Sequence, residues 1–137
     1  MEVKVNVVQS RVPVTVLALT GELDGSNFKM VIAQVQKLYG GGARHLLLDF
    51  GELTFLSSAG LVAIHSAALI MRGENPPDLE EGWGAFRAMG RDVTGDASVD
   101  NVKILNPQPR VNKTLDTTGL SKFIQVFTDR EAALASF

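Results

Sequence analysis

The residues able to do chemistry are few. The chain has two histidines, His45 and His65, and no cysteine. Disulfides, thiolate metal sites and cysteine nucleophiles are thereby excluded. Neither histidine has a second histidine or a carboxylate at ligand spacing on its own element, so no metal site is expected. Ser58 and His65 are seven residues apart, on one helix face but separated by about 10 Å of rise, too far for proton transfer. No Gly-x-Ser-x-Gly elbow is present. Gly40-Gly41-Gly42 lacks a following Lys-Ser/Thr and reads as a helix end and linker, not a phosphate loop. No catalytic constellation emerges, and neither an enzyme nor a cofactor is expected. One segment stands apart, Phe55-Leu56-Ser57-Ser58-Ala59-Gly60-Leu61. It sets two hydroxyls between a buried strand and a buried helix. A serine there can cap the helix by accepting from an unpaired N–H. It can also present a hydroxyl at the positive end of a helix, where a phosphate is locally favoured.

The elements that position these residues follow from composition and period. The chain has 137 residues, 45% hydrophobic and 20% charged, with a formal net charge of -2. That is one soluble domain, able to bury roughly two thirds of the surface its unfolded form exposes. The charge balance gives no reason to expect direct nucleic-acid binding. The most apolar stretch, Ala59 to Met71, is shorter than the roughly 20 residues a membrane span needs and reads as a buried helix. It contains His65, for which a core position is expected.

Val3, Val5 and Val7 alternate with Lys4 and Asn6, the period of a half-buried strand. Val14 to Leu19 is apolar on both faces, and the short Gln9-Ser10-Arg11 link predicts an antiparallel hairpin. After a turn at Gly21 to Ser26, residues Phe28, Val31, Ile32, Val35 and Leu38 predict an amphipathic helix ending at the three glycines. Asp24 is placed to cap it. The run Arg44-His45-Leu46-Leu47-Leu48-Asp49-Phe50 reads as a central parallel strand. A second helix is expected from Ser57 or Ser58 to about Met71. A fourth strand follows at Val102–Leu105, then a helix over Val111–Thr117 with Pro109 in its first turn and Gly119 closing it. A last strand, Phe123–Phe127, leads into a short helix, with Thr128 and Glu131 at capping-box spacing. The fold class is α/β: a mixed sheet of about five strands, an N-terminal hairpin followed by βα units, with about four helices.

Arg72 to Asn101 interrupts this rhythm, being far longer than a usual helix-to-strand link. It reads as an insertion into the single domain, with Leu79, Trp83, Phe86 and Met89 at helical spacing. They are expected to cover an apolar patch of their own domain or to contact a second subunit.

Three motifs carry a resemblance to a known family. Leu19-Thr20-Gly21-Glu22-Leu23-Asp24 before an amphipathic helix is similar to the early motif of STAS domains. Leu46 to Gly51 followed by Leu53 to Leu61 is similar to that family's central strand and phosphorylatable serine loop. Leu115 to Ile124 is similar to its C-terminal motif. The resemblance covers most of residues 1–71 and 101–137 and implies a STAS-like fold. Among standalone members it implies a bacterial, cytoplasmic anti-sigma factor antagonist (anti-anti-sigma factor) that regulates transcription by partner switching. Its implied partners are an anti-sigma factor that is also a serine kinase, and a phosphatase that reverses the modification. The phosphoacceptor position falls on Ser58, with Ser57 as the alternative, and the family's acidic loop residue maps onto Asp24. Asp24, Ser57, Ser58, Ala59 and Gly60 form the implied partner-binding surface. Many members carry Asp where this chain has Ser57. That departure keeps open a second reading, a STAS scaffold or complex subunit that is never phosphorylated. A homo-oligomer is compatible with either.

Overall fold

The computed structural model describes residues 1–74 and 99–137. The strands are β1 (Glu2–Gln9), β2 (Pro13–Leu23), β3 (Leu46–Asp49), β4 (Leu53–Leu56), β5 (Val99–Leu105) and β6 (Ile124–Phe127). The helices are α1 (Phe28–Gly40), α2 (Ser58–Met71), α3 (Pro109–Thr118), α4 (Leu120–Phe123) and α5 (Arg130–Ala135). The sheet order is β1-β2-β3-β5-β6, with β4 paired to β2 off this path. Only β1 and β2 run antiparallel; the remaining pairs are parallel. The expected mixed sheet with its N-terminal hairpin is therefore present, and the described residues hold one strand and one short helix more than the sequence pattern suggested.

Both sheet faces are covered, which explains why β2 is apolar on both sides. Leu17 and Leu19 pack with Val31, Ile32 and Val35 of α1 and with Leu61, Ile64 and Ala68 of α2. Val14 and Val16 pack on the other face with Leu47, Leu105, Ala133 and Leu134. Helix α2 is buried from Gly60 to Met71, as its apolar circumference requires. His65 is fully buried, its ring 5.7 Å from that of Phe123.

Several boundaries differ from the sequence pattern for physical reasons. β1 is an edge strand, and Val5 and Val7 remain 39% and 62% exposed rather than half-buried. β5 begins at Val99, three residues early, because Val99 already pairs with Ile124 of β6, so the strand takes in the polar Asp100 and Asn101. Asn101 ties this start to the end of α2 by donating to the Met71 carbonyl at 3.1 Å. Helix α1 ends with Gly41 in right-handed geometry, and the positive φ falls on Gly42 instead. Gly119 closes α3 in the left-handed conformation, as expected. The cap of α5 is Asp129, which accepts from Ala132 N, not Thr128. Asp is as strong a cap as Thr and stands one residue nearer the helix. The expected apolar stripe at Leu79, Trp83, Phe86 and Met89 lies outside the described residues. No helix among the described residues is long and apolar enough to cross a membrane.

Candidate functional site

The candidate site lies where β2 and β4 end and α2 begins. Gly21 starts its geometry. Its φ of +105° is one a side chain rarely adopts, and the β2–β4 register shifts between Gly21 and Glu22. The bulge lets β2 continue to Leu23 and pair with β4, while Thr54 Oγ1 donates to Gly21 O at 3.0 Å. At the far end Ser57 N donates to Leu23 O at 3.0 Å. Asp24 and Ser58 each lie one residue past that bond, so the backbone brings the two candidate residues to one corner.

The two serines divide the local roles. Ser57 is the N-cap of α2, extended at φ -88° and ψ 175°, and its Oγ accepts from Gly60 N at 3.2 Å. Ser58 is the first residue of the helix and is exposed. Its hydroxyl makes no hydrogen bond to any described residue. No acidic or basic side chain occupies the first turn of α2, so the partial positive charge at this helix start is not neutralised within the element. Gly60 explains the tight approach. A Cβ there would meet Leu56 Cδ1 at 2.6 Å and the Leu23 carbonyl oxygen at 2.9 Å. Ala59 is half-buried between these two constraints.

Asp24 does not cap α1. The N-cap is Asn27, which makes no side-chain cap bond. The Asp24 carboxylate instead accepts from the Ser26 hydroxyl at 2.5 Å and from Ser26 N at 2.9 Å. These bonds, the hydroxyl first, hold its carboxyl below the ordinary carboxylate value. Asn27 completes the turn by accepting from Asp24 N at 2.9 Å and donating to Glu22 O at 2.7 Å. The roles of Ser26 and Asn27 were missed in the sequence. The signal was there, since Asp-Gly-Ser-Asn is rich in residues that bond their own backbone. The corner thus offers a fixed carboxylate and an unengaged hydroxyl. His65 lies in the core below and contributes no base to that hydroxyl. Among the described residues no group of three or more histidines and carboxylates is arranged to hold a metal.

Comparison with known proteins gives a consistent picture. The family described as Mlab, STAS domain, matches residues 7–77. No curated protein matches the sequence. Among solved structures, an anti-sigma factor antagonist from Mycobacterium paratuberculosis aligns with a TM-score of 0.66 at 16% identity, over 98% of this chain and 93% of that one. The anti-sigma factor antagonist SpoIIAA in its unphosphorylated form aligns at 0.60 and 23% identity, over 96% and 92%. The Bacillus cell fate determinant SpoIIAA in the phosphorylated form aligns at 0.55 and 22% identity, over 96% of each chain. At these identities the likeness is one of fold.

Proposed function

The chain belongs to the STAS domain family, and we propose that it is a cytoplasmic anti-sigma factor antagonist switched by phosphorylation of Ser58. The observation that carries this reading is the exposed Ser58 hydroxyl, free of any hydrogen bond to a described residue, at the start of α2 beside a Ser57 fixed as the helix cap. Solved structures of similar fold include two anti-sigma factor antagonists and the cell fate determinant SpoIIAA in a phosphorylated form. The protein acts by binding rather than by catalysis, and the Asp24–Ser58 corner is its contact surface.

Phosphoserine adds about -1.5 to -2 of charge and three acceptor oxygens. At the first position of a helix the dipole accepts that charge, so the fold tolerates it. The complex does not. A phosphate buried against the partner must shed its water and faces the ionised Asp24 across the same corner. The kinase is the anti-sigma factor, a phosphatase restores the free hydroxyl, and no nucleic acid is contacted directly.

The test is incubation with ATP and an anti-sigma factor kinase from the same organism, followed by mapping of the phosphate by mass spectrometry. Ser58 is the expected acceptor. Ser58→Ala should bind and escape regulation, Ser58→Asp should bind weakly, and Asp24→Asn, which keeps an oxygen acceptor for Ser26, should weaken binding while lowering the melting temperature only slightly. Equal labelling of Ser58→Ala on Ser57 refutes the assignment. Binding with no phosphate at either serine favours instead the constitutive scaffold left open by Ser57 at the position where many family members carry Asp.

A further inference from the structure

A second feature lies at the opposite pole of the molecule. Thr15 and Leu46 pair at the start of the parallel β2–β3 ladder, whereas the serine corner joins β2 at Leu23. Eight residues of strand separate the poles by about 26 Å. At the near pole a groove of about 580 Å³ opens between β1, the β1–β2 turn and the C-terminal end of α1. That volume lies within the roughly 300–1,000 Å³ of small-molecule sites. Its walls include Val7, Val12, Leu38 and Ala43, and its charged lining residues are Lys37 and Arg44, with no acid among the residues that line it.

Arg44 is held in place at the end of α1. Its guanidinium carbon lies 3.9 Å from the centroid of the Tyr39 ring. Nη1 donates to the carbonyls of Tyr39 at 2.9 Å and Ala43 at 2.8 Å. Those two bonds use both Nη1 hydrogens and leave the three N–H donors on Nη2 and Nε. Neither Arg44 nor Lys37 is ion-paired with a described residue. The negative end of the α1 dipole would oppose an anion here. The carbonyls of Lys37, Leu38 and Tyr39 are, however, already engaged by the amides of Gly41, Gly42 and Ala43. His45 also lines the groove, and its Nδ1 is buried without a hydrogen-bond partner among the described residues.

We propose that this groove binds a free amphiphilic carboxylate, its apolar body against Val7, Val12, Leu38 and Ala43 and its carboxylate on Lys37 and Arg44. Apolar walls supply the burial, and the two unpaired cations select a single negative head over a neutral one. Nothing in this site depends on the serine corner or on the antagonist function.

The test uses the full chain and decanoate below its micellar concentration, with decan-1-ol as the uncharged control. Backbone amide shifts should move at Val7, Val12, Ala43 and Arg44 and stay fixed at Ser57, Ser58 and Gly60. Arg44→Gln with Lys37→Gln should weaken decanoate at least tenfold and leave decanol unchanged. Val7→Glu gives an independent arm, because Val7 is 62% exposed on an edge strand and the fold tolerates polarity there. Its carboxylate should abolish decanoate binding. Absence of shifts at these amides up to millimolar decanoate overturns the proposal. So does equal binding by wild type and Val7→Glu, or an equal loss of decanol in the charge variants.

Discussion

Removing each serine oxygen in turn separates the two roles at the corner. In Ser57→Ala the Gly60 N–H loses its side-chain acceptor, and Gly60 is buried, so water does not replace the bond freely. Losing an N-cap costs about 0.5–2 kcal/mol. The 3.2 Å length argues for a bond of ordinary strength, while the burial of its donor argues for the upper part of that range. A loss of about 1–2 kcal/mol is expected, which for a domain of this size lowers the melting temperature by about 3–7 °C. Ser58→Ala removes an exposed hydroxyl that bonds to nothing described, and its effect should stay within about 0.5 kcal/mol. Ser57→Asp should recover the wild-type value, because Asp caps as well as Ser and its charge suits the helix start. Calorimetric or circular-dichroism melts of the three variants at one pH decide the matter. If Ser58→Ala melts as low as Ser57→Ala, or if Ser57→Ala melts with the wild type, the division of roles is wrong.

Gly60→Ala should destabilise by about 1–3 kcal/mol, because the new Cβ meets Leu56 Cδ1 at 2.6 Å and the less yielding Leu23 carbonyl at 2.9 Å. Chemical denaturation measures this, and a neutral Gly60→Ala counts against the close packing of α2 on β2. Lys103 is 4% exposed and donates to Ser136 O at 2.8 Å and Ser136 Oγ at 2.9 Å, and burial lowers its pKa despite the opposing charge of Asp100. The unfolded chain therefore holds the extra proton between the folded and unfolded pKa values, and stability rises with pH across that alkaline window. Lys103→Met should flatten this rise, with a change at neutral pH within about 1 kcal/mol, since an apolar side chain suits the site between Phe127 and Phe137; melting curves from pH 7 to 10 test it. Asp24, whose pKa is lowered, contributes stability above its unfolded value of 3.8 that is lost as pH falls through the folded value. Asp24→Asn should blunt that acid limb in melts from pH 2 to 5, and an unchanged limb shows the Ser26 clamp to be weak.

The sequence disclosed most of the fold where one period governed each element. The i, i+3, i+4 apolar spacing of α1, the uniform apolarity of α2, and the Pro109 and Gly119 ends of α3 are all legible in the sequence. Short elements were not. β4 is four residues with buried ends, Leu53 and Leu56, and an exposed middle, Thr54 and Phe55, so it has no period of two to recognise. Its existence depends on β2 running past Gly21, and a glycine in that place reads as the end of a strand rather than a bulge within it. β1 shows the converse: its alternation predicted a strand correctly, but burial depends on how far α1 extends beneath it, which no local pattern encodes. The caps failed by competition. Asp24, Ser26 and Asn27 all seek backbone partners, as do Thr128 and Asp129, and geometry rather than propensity chose among them. Ser57 and Ser58 shared one ambiguity, since either could cap a helix whose start is uncertain by one residue.

The division of roles between Ser57 and Ser58 bears on the proposed switch. The Ser57 oxygen must satisfy Gly60 N in every state of the protein, so modification there would act on the stability of α2 as well as on any partner. The Ser58 oxygen bonds to no described residue, so the phosphorylation proposed there breaks no hydrogen bond among them. The corner is also held from below: Ser57 N is fixed to Leu23 O, and Gly60 leaves no room for α2 to tilt toward β2. A phosphate on Ser58 therefore finds no element to move. Its free energy must appear as changed surface charge and hydration, felt only when a partner is present. This is why the phosphoform should keep the fold and melting behaviour of the free protein while losing affinity. It is also why the readout of the switch lies in the partner's binding and not in any rearrangement of this chain.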